Sequence, residues 1–213
     1  MNPLLLLLVV GVGWLFLKGA KADNGASKEA PADANSWLAT VLAPSMTDST
    51  QLTQFFHTFT TAAGNQTNPA SVLRLSLYAL ATALKVAMLS KGAQPNADEL
   101  LAIAYAPSSG MGGIQQLPDA PGADVQQAAY AALVDTQTDI GTIGTYIQSL
   151  VQVLANNTIS AAQKRRILAY VIAAKAKQMM LQTGNTFQSP VYFAIANMAN
   201  VPAYANNSIL SYQ

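Results

Sequence analysis

Asp124–Asn157, DVQQAAYAALVDTQTDIGTIGTYIQSLVQVLANN, is the stretch whose reading decides the fold. Val125, Ala129, Ala132, Thr136, Ile140, Ile143, Ile147, Leu150 and Leu154 recur at intervals of three or four, the period of one helix face or a short coiled coil. Gln126, Gln127, Gln137, Thr138, Thr142, Thr145, Gln148, Ser149 and Gln152 fill the other faces, and aspartates are the sole charges. Gly141 and Gly144 each weaken a helix by about 1 kcal/mol, which suits a close neighbour or a kink. The pattern predicts one long helix over about 124–156, with an apolar seam available for self-association.

Ser160 and Gln163 then form a capping box for a helix over about 160–183, stopped by Gly184. Two long helices joined by a few residues pack antiparallel. Their charges differ in sign. Residues 123–158 hold Asp124, Asp135 and Asp139 with no base, and residues 159–213 hold Lys164, Arg165, Arg166, Lys175 and Lys177 with no acid. Lys164 and Lys175, like Arg166 and Lys177, recur on one face after three turns. Such a face is solvated or paired within the chain, or it meets an anionic partner. Lipid headgroups and protein rank ahead of nucleic acid.

Upstream, Asn68-Pro69 is an N-cap followed by proline at the first helical position, and Gly92 stands ready to end the helix. The intervening VLRLSLYALATALKVAMLS is apolar almost all round. Arg74 and Lys85 interrupt it, so it reads as the central helix of a bundle rather than a second membrane span. Asn35 or Ser36 caps a short helix, SWLATVLA, ahead of Pro44, and Thr50–Ala63 places Leu52, Phe55, Phe56 and Phe59 at helical spacing. Asn96 with Glu99 opens a further short helix that Pro107 stops. Residues 107–122, PSSGMGGIQQLPDAPG, are too rich in Gly and Pro for a regular element and match no phosphate-binding pattern. They read as a surface loop. Residues 187–213 predict one more short helix and an uncharged tail that docks on its own domain or on a neighbour.

The N-terminus is of another kind. Pro3–Leu17, PLLLLLVVGVGWLFL, is apolar on every face and has no polar side to turn to water. We read residues 1–20 as a single transmembrane anchor carrying Leu4, Leu8, Val12, Trp14 and Leu17, with Lys18 and Lys21 reaching the interface. A cleaved signal peptide with Ala20-Lys21-Ala22 at its cleavage site is the alternative. Residues 21–35, small and polar, read as a flexible tether, and 36–213 as the helical domain. The fold class is therefore all-α. Lys18, Lys21 and Lys28 follow the span, which places the C-terminal domain on the interior or cytoplasmic side of a virion membrane or bacterial inner membrane.

Chemistry is scarce. Charged residues make up 10% of the 213 and hydrophobic residues 51%, there is no Cys, and His57 is the one histidine. Thiolate metal sites are excluded and most zinc sites with them. No nucleophile–base constellation, cofactor motif or metal-ligand spacing is present, so no cofactor and no enzymatic activity is expected. A peptidoglycan-acting enzyme using Glu99 is the weakest alternative. The composition suits a membrane-anchored structural or assembly protein, such as a minor virion membrane or DNA-delivery protein of a phage. A single-span adaptor of an envelope secretion or pilus machine is the alternative. The expected partners are the bilayer and other subunits.

Overall fold

A computed structural model describes residues 29–108, 112–156, 158–199, 201 and 208–211. The proposed anchor, with Leu4, Leu8, Val12, Trp14, Leu17, Lys18 and Lys21, lies outside the described residues, as do tether residues 21–28.

Among the described residues the structure is helical, with no strand. The helices are α1 Ala32–Leu42, α2 Ser49–Gly64, α3 Pro69–Ser90, α4 Ala97–Ala104, α5 Ala123–Leu133, α6 Ile140–Leu154, α7 Ala161–Gln182, α8 Ser189–Ala196 and α9 Ser208–Ser211. Local chemistry sets most of their ends. Asp48, Asn68, Asn96 and Asp139 each accept N-terminal amide bonds of α2, α3, α4 and α6, and Ser160 and Gln163 make the reciprocal box at α7. Gly92 and Gly184, at φ +73° and +75°, take the left-handed conformation that ends α3 and α7.

The helices fall into two equal sets. Helices α1 to α4 span 11, 16, 22 and 8 residues, and α5 to α8 span 11, 15, 22 and 8. A constant shift of 92 residues lays Arg74 on Arg166, Tyr78 on Tyr170, Ala81 on Ala173, Lys85 on Lys177, Met88 on Met180, Leu89 on Leu181 and Gly92 on Gly184. It also lays Ala102-Ile103-Ala104 on Ala194-Ile195-Ala196. A shift of 91 aligns Leu42 with Leu133, Thr47 with Thr138 and Asp48 with Asp139. The same shift matches the buried Leu52, Phe59 and Ala63 of α2 to the buried Ile143, Leu150 and Leu154 of α6. Among the described residues, α1 to α8 are thus one four-helix unit written twice.

The two units share a single core, in which α3 packs against α7 and against α8. Helix α3 is long and apolar enough to cross a membrane by length and composition, yet 72% of its most apolar window is buried inside the fold, so it serves as a core helix. The tail docks on its own domain. Ile209 of α9 is fully buried, α9 packs on α7, and the Ile209 N–H donates to Glu99 of α4. The C-terminal helix therefore ties the two units together.

Three expectations need correction. The predicted helix over 124–156 is two helices, α5 and α6, broken at 134–139. Its apolar period continues through Thr136 and Ile140, but Val134 turns extended at ψ 148° and Asp139 caps a new helix through Thr142 N. The seam expected to support self-association is also occupied, because Ile143, Leu150 and Leu154 are buried where α6 packs on α7. Gly144 faces α7 there: a Cβ would stand 3.2 Å from Nε2 at the end of the Gln178 side chain, which would have to give by a few tenths of an ångström. Finally, residues 29–35 are not tether. Helix α1 begins at Ala32, before the expected cap at Asn35 or Ser36, and Ala34 is fully buried.

Candidate functional site: buried cations and paired cavities

Each unit buries one arginine and one lysine of its long helix, and each spends them in the same way. Arg74 is 3% exposed, and its Nη1 donates to the carbonyls of Ala104 and Ala106 at 2.7 and 2.8 Å. These carbonyls lie at the end of α4. Its Nη2 meets Glu29 Oε2 at 3.0 Å, and Ser108 Oγ donates to the same carboxylate. Arg166 repeats the pattern, with Nη1 at 3.0 Å from the carbonyls of Ala196 and Met198 and its Nε and Nη2 forked onto Asp119. The guanidinium thereby satisfies carbonyls that a helix end leaves open and pins the segment before the first helix of its own unit.

The lysines close the first helix of each unit. Lys85 Nζ donates to the carbonyls of Val41 and Ala43 at 2.7 and 2.8 Å, and Lys177 Nζ to those of Ala132 and Val134 at 3.1 and 2.6 Å. A cation at a helix C-terminus is favoured by the macrodipole and by the open carbonyls. Neither ammonium has a carboxylate within ion-pair distance among the described residues. Burial pushes both down to about 8 from 10.5, with Asp135 acting against that fall at Lys177.

A cavity sits beside each lysine, at the same place in the two units. The first, about 40 Å³, is lined by Leu42, Pro44, Thr47, Lys85, Leu89 and Leu100 among others. The second, about 250 Å³, is lined by Asp135, Thr138, Lys177, Leu181, Phe187 and Tyr192 among others. Pro44 corresponds to Asp135, Leu89 to Leu181, Pro95 to Phe187 and Leu100 to Tyr192. Asp135 is placed by Ser189 at the start of α8, whose N–H and Oγ donate to its two oxygens at 2.6 and 3.1 Å. Tyr192 stands under Lys177, with Nζ 5.9 Å from the ring centroid.

The sequence-predicted basic face is divided by the structure. Arg166 and Lys177 point inward, 4% exposed each, and are engaged as described. Lys175 is half-buried and donates to Gln178 at 3.2 Å. Lys164 is half-buried and Arg165 exposed, so these three alone carry positive charge towards solvent on α7. His57 is exposed, with its ring set edge-on to Phe56. Glu99 is fully buried under α9 and lines neither cavity. Among the described residues no three His, Cys, Asp or Glu side chains gather as metal ligands.

Reading by segment missed Lys85, Asp135, Phe187 and Tyr192. One signal finds Lys85: Arg-x3-Tyr-x2-Ala-x3-Lys-x2-Met-Leu-x2-Gly occurs at Arg74 and again at Arg166, and it marks the duplication. Comparison with protein families, with characterised proteins and with solved structures finds no match for the chain.

Proposed function

We propose that the protein is a membrane-anchored structural module of a larger assembly. Residues 1–20 hold it at the bilayer, and its duplicated helical domain, on the interior side, is covered by other subunits. The observation that carries this reading is the charge-free outer face of α2 and of α6. Neither helix contains Asp, Glu, Lys or Arg, although both are open to solvent along Thr50, Gln51, Thr53, Gln54, Thr60 and Thr61 in one unit and Thr142, Thr145, Gln148, Ser149 and Gln152 in the other. A solvated surface normally carries about 25–35% charged residues, whereas the buried centre of a protein interface is depleted of them. The buried cations Arg74, Lys85, Arg166 and Lys177 each donate to carbonyls at helix ends.

Among assemblies of this kind, a minor membrane or DNA-delivery component of a phage virion fits the amide-rich, weakly charged composition. The test is to place lysines on both outer faces, Thr53→Lys with Thr145→Lys, and to follow the chain by native electrophoresis of solubilised source membranes. The expected result is an unchanged helical spectrum with loss of the high-mass complex. Normal incorporation of the doubly charged variant would refute the reading.

A further inference from the structure

The two cavities are internal controls for one another, and they differ in chemistry as well as size. In the first unit the walls beside Lys85 are Pro44, Pro95 and Leu100, and the 40 Å³ that remains is water-sized space. In the second unit Asp135, Phe187 and Tyr192 stand at those positions and leave about 250 Å³. The two units share the lysine, its two carbonyl partners, the threonine at 47 and 138 and the leucine at 89 and 181, and differ at the other paired wall positions.

Lys177 has a donor to spare. An ammonium carries three N–H groups, and two are used on the carbonyls of Ala132 and Val134. The third has no hydrogen-bond acceptor among the described residues, the Tyr192 ring being its neighbour at 5.9 Å; the residue is 4% exposed and its side chain lines the cavity. Asp135 lines the same cavity, is solvent-exposed, and forms no ion pair with Lys177. Each of its oxygens accepts one bond from Ser189 and retains capacity for another. Leu181, Phe187 and Tyr192 line the same cavity as apolar and aromatic walls.

We propose that this cavity binds a small zwitterion of the amino-acid type, its carboxylate on the free N–H of Lys177, its ammonium facing Asp135 and its apolar part against Leu181, Phe187 and Tyr192. A simple anion would meet Lys177 but also the carboxylate of Asp135, and a simple cation would meet the reverse. A ligand carrying both charges matches both walls. Asp135, beyond ion-pair distance, is the acid that acts on this buried ammonium, so an incoming carboxylate adds a direct charge partner where the dielectric is low. The first unit, with proline in place of Asp135 and no room, binds nothing of this kind.

The experiment is calorimetric titration of the full chain in detergent micelles with leucine, 4-methylpentanoate, which lacks the amine, and isopentylamine, which lacks the carboxylate. Leucine is expected to bind with a Kd at or below about 1 mM. Each analogue is expected to bind at least tenfold more weakly, as is leucine to Asp135→Asn and to Thr186→Trp, Thr186 being part of the cavity lining, while Lys91→Met, at an exposed position, leaves leucine binding unchanged. Thr186→Trp leaves the Lys177 bonds to Ala132 and Val134 and the charge of Asp135 in place, so it remains informative should Lys177→Met fail to fold. Absence of leucine binding, equal affinity for 4-methylpentanoate, or full binding by Thr186→Trp would overturn the proposal.

Discussion

Lys85 and Lys177 occupy the same position of the repeated unit, and each donates two hydrogen bonds to the carbonyls that end the first helix of its unit. Both are buried ammonium groups held by neutral acceptors. That arrangement gives the fold a pH signature.

Stability should rise with pH from about 8 and fall again above about 10. Burial holds Lys85 and Lys177 near 8, against 10.5 in an unfolded chain. Between those values the unfolded state binds more protons, so unfolding becomes less favourable as pH increases. Lys175, also lowered by burial, acts in the same direction. Tyrosines set the upper limit. Burial raises Tyr170 to about 12 and Tyr78 and Tyr192 higher, so above their ordinary value of 10.0 the unfolded chain releases protons that the folded chain keeps. Urea midpoints between pH 7 and 11 are expected to pass through a maximum near pH 10, and Lys177→Met should shrink the rise. A profile that declines steadily from pH 8 would contradict the burial of the lysines.

The paired tyrosines should respond differently to loss of their hydroxyls. Tyr78 Oη donates to Asn35 Oδ1 at 2.6 Å, whereas the buried Tyr170 Oη has no hydrogen-bond partner among the described residues. The second-unit counterpart of Asn35 is Gln126, which donates instead to the carbonyl of Pro121. Tyr78→Phe is therefore expected to cost about 1 kcal/mol in chemical denaturation, and Tyr170→Phe to be neutral or stabilising. Equal losses at both sites would mean that the Tyr170 hydroxyl has a partner after all.

Replacing Arg166 by Met strands the carbonyls of Ala196 and Met198 and leaves Asp119 without its cation. A loss of about 3 kcal/mol is expected by urea titration. Lysine should recover less than half of it, since one ammonium cannot reproduce the fork onto Asp119 while reaching two carbonyls. Full recovery by Arg166→Lys would show that charge alone matters here.

Asp48 and Asp139 cap the corresponding helices α2 and α6. Asp48→Ala is expected to cost about 1 kcal/mol at neutral pH, and Asp139→Ala to lower the denaturation midpoint. Asp139, whose carboxyl is held below its ordinary value by its bonds to Thr142, should lose its contribution as pH falls through the acid range. An unchanged denaturation midpoint for Asp139→Ala would show that the break at 134–139 is held by tertiary contacts alone.

Helix ends written in local chemistry were legible: Asn68-Pro69 and Gly92 around α3, and Ser160, Gln163 and Gly184 around α7. The break inside 124–156 was not. In the first unit Pro44 punctuates the equivalent turn, but the second unit has Asp135 there, and its turn is held from a distance by Lys177 and Ser189. The inward course of Arg166 and Lys177 was hidden for a related reason. A face eleven residues long in register looks like a solvated stripe, and only the helix ends that arrive from elsewhere in the chain make it an internal one. The small cavity beside Lys85 and its enlarged twin likewise depend on residues from three segments each, so no single window of sequence displays them.

Photo-cross-linking in the intact source membrane or particle tests the central claim most directly. A photoreactive side chain placed at Thr53 of α2 or Gln148 of α6, both exposed and uncharged, should yield adducts with neighbouring subunits in high proportion, while the same group at exposed Lys91 yields few. Recovery of free, uncross-linked monomer from both outer faces would contradict the reading of this protein as an assembly module.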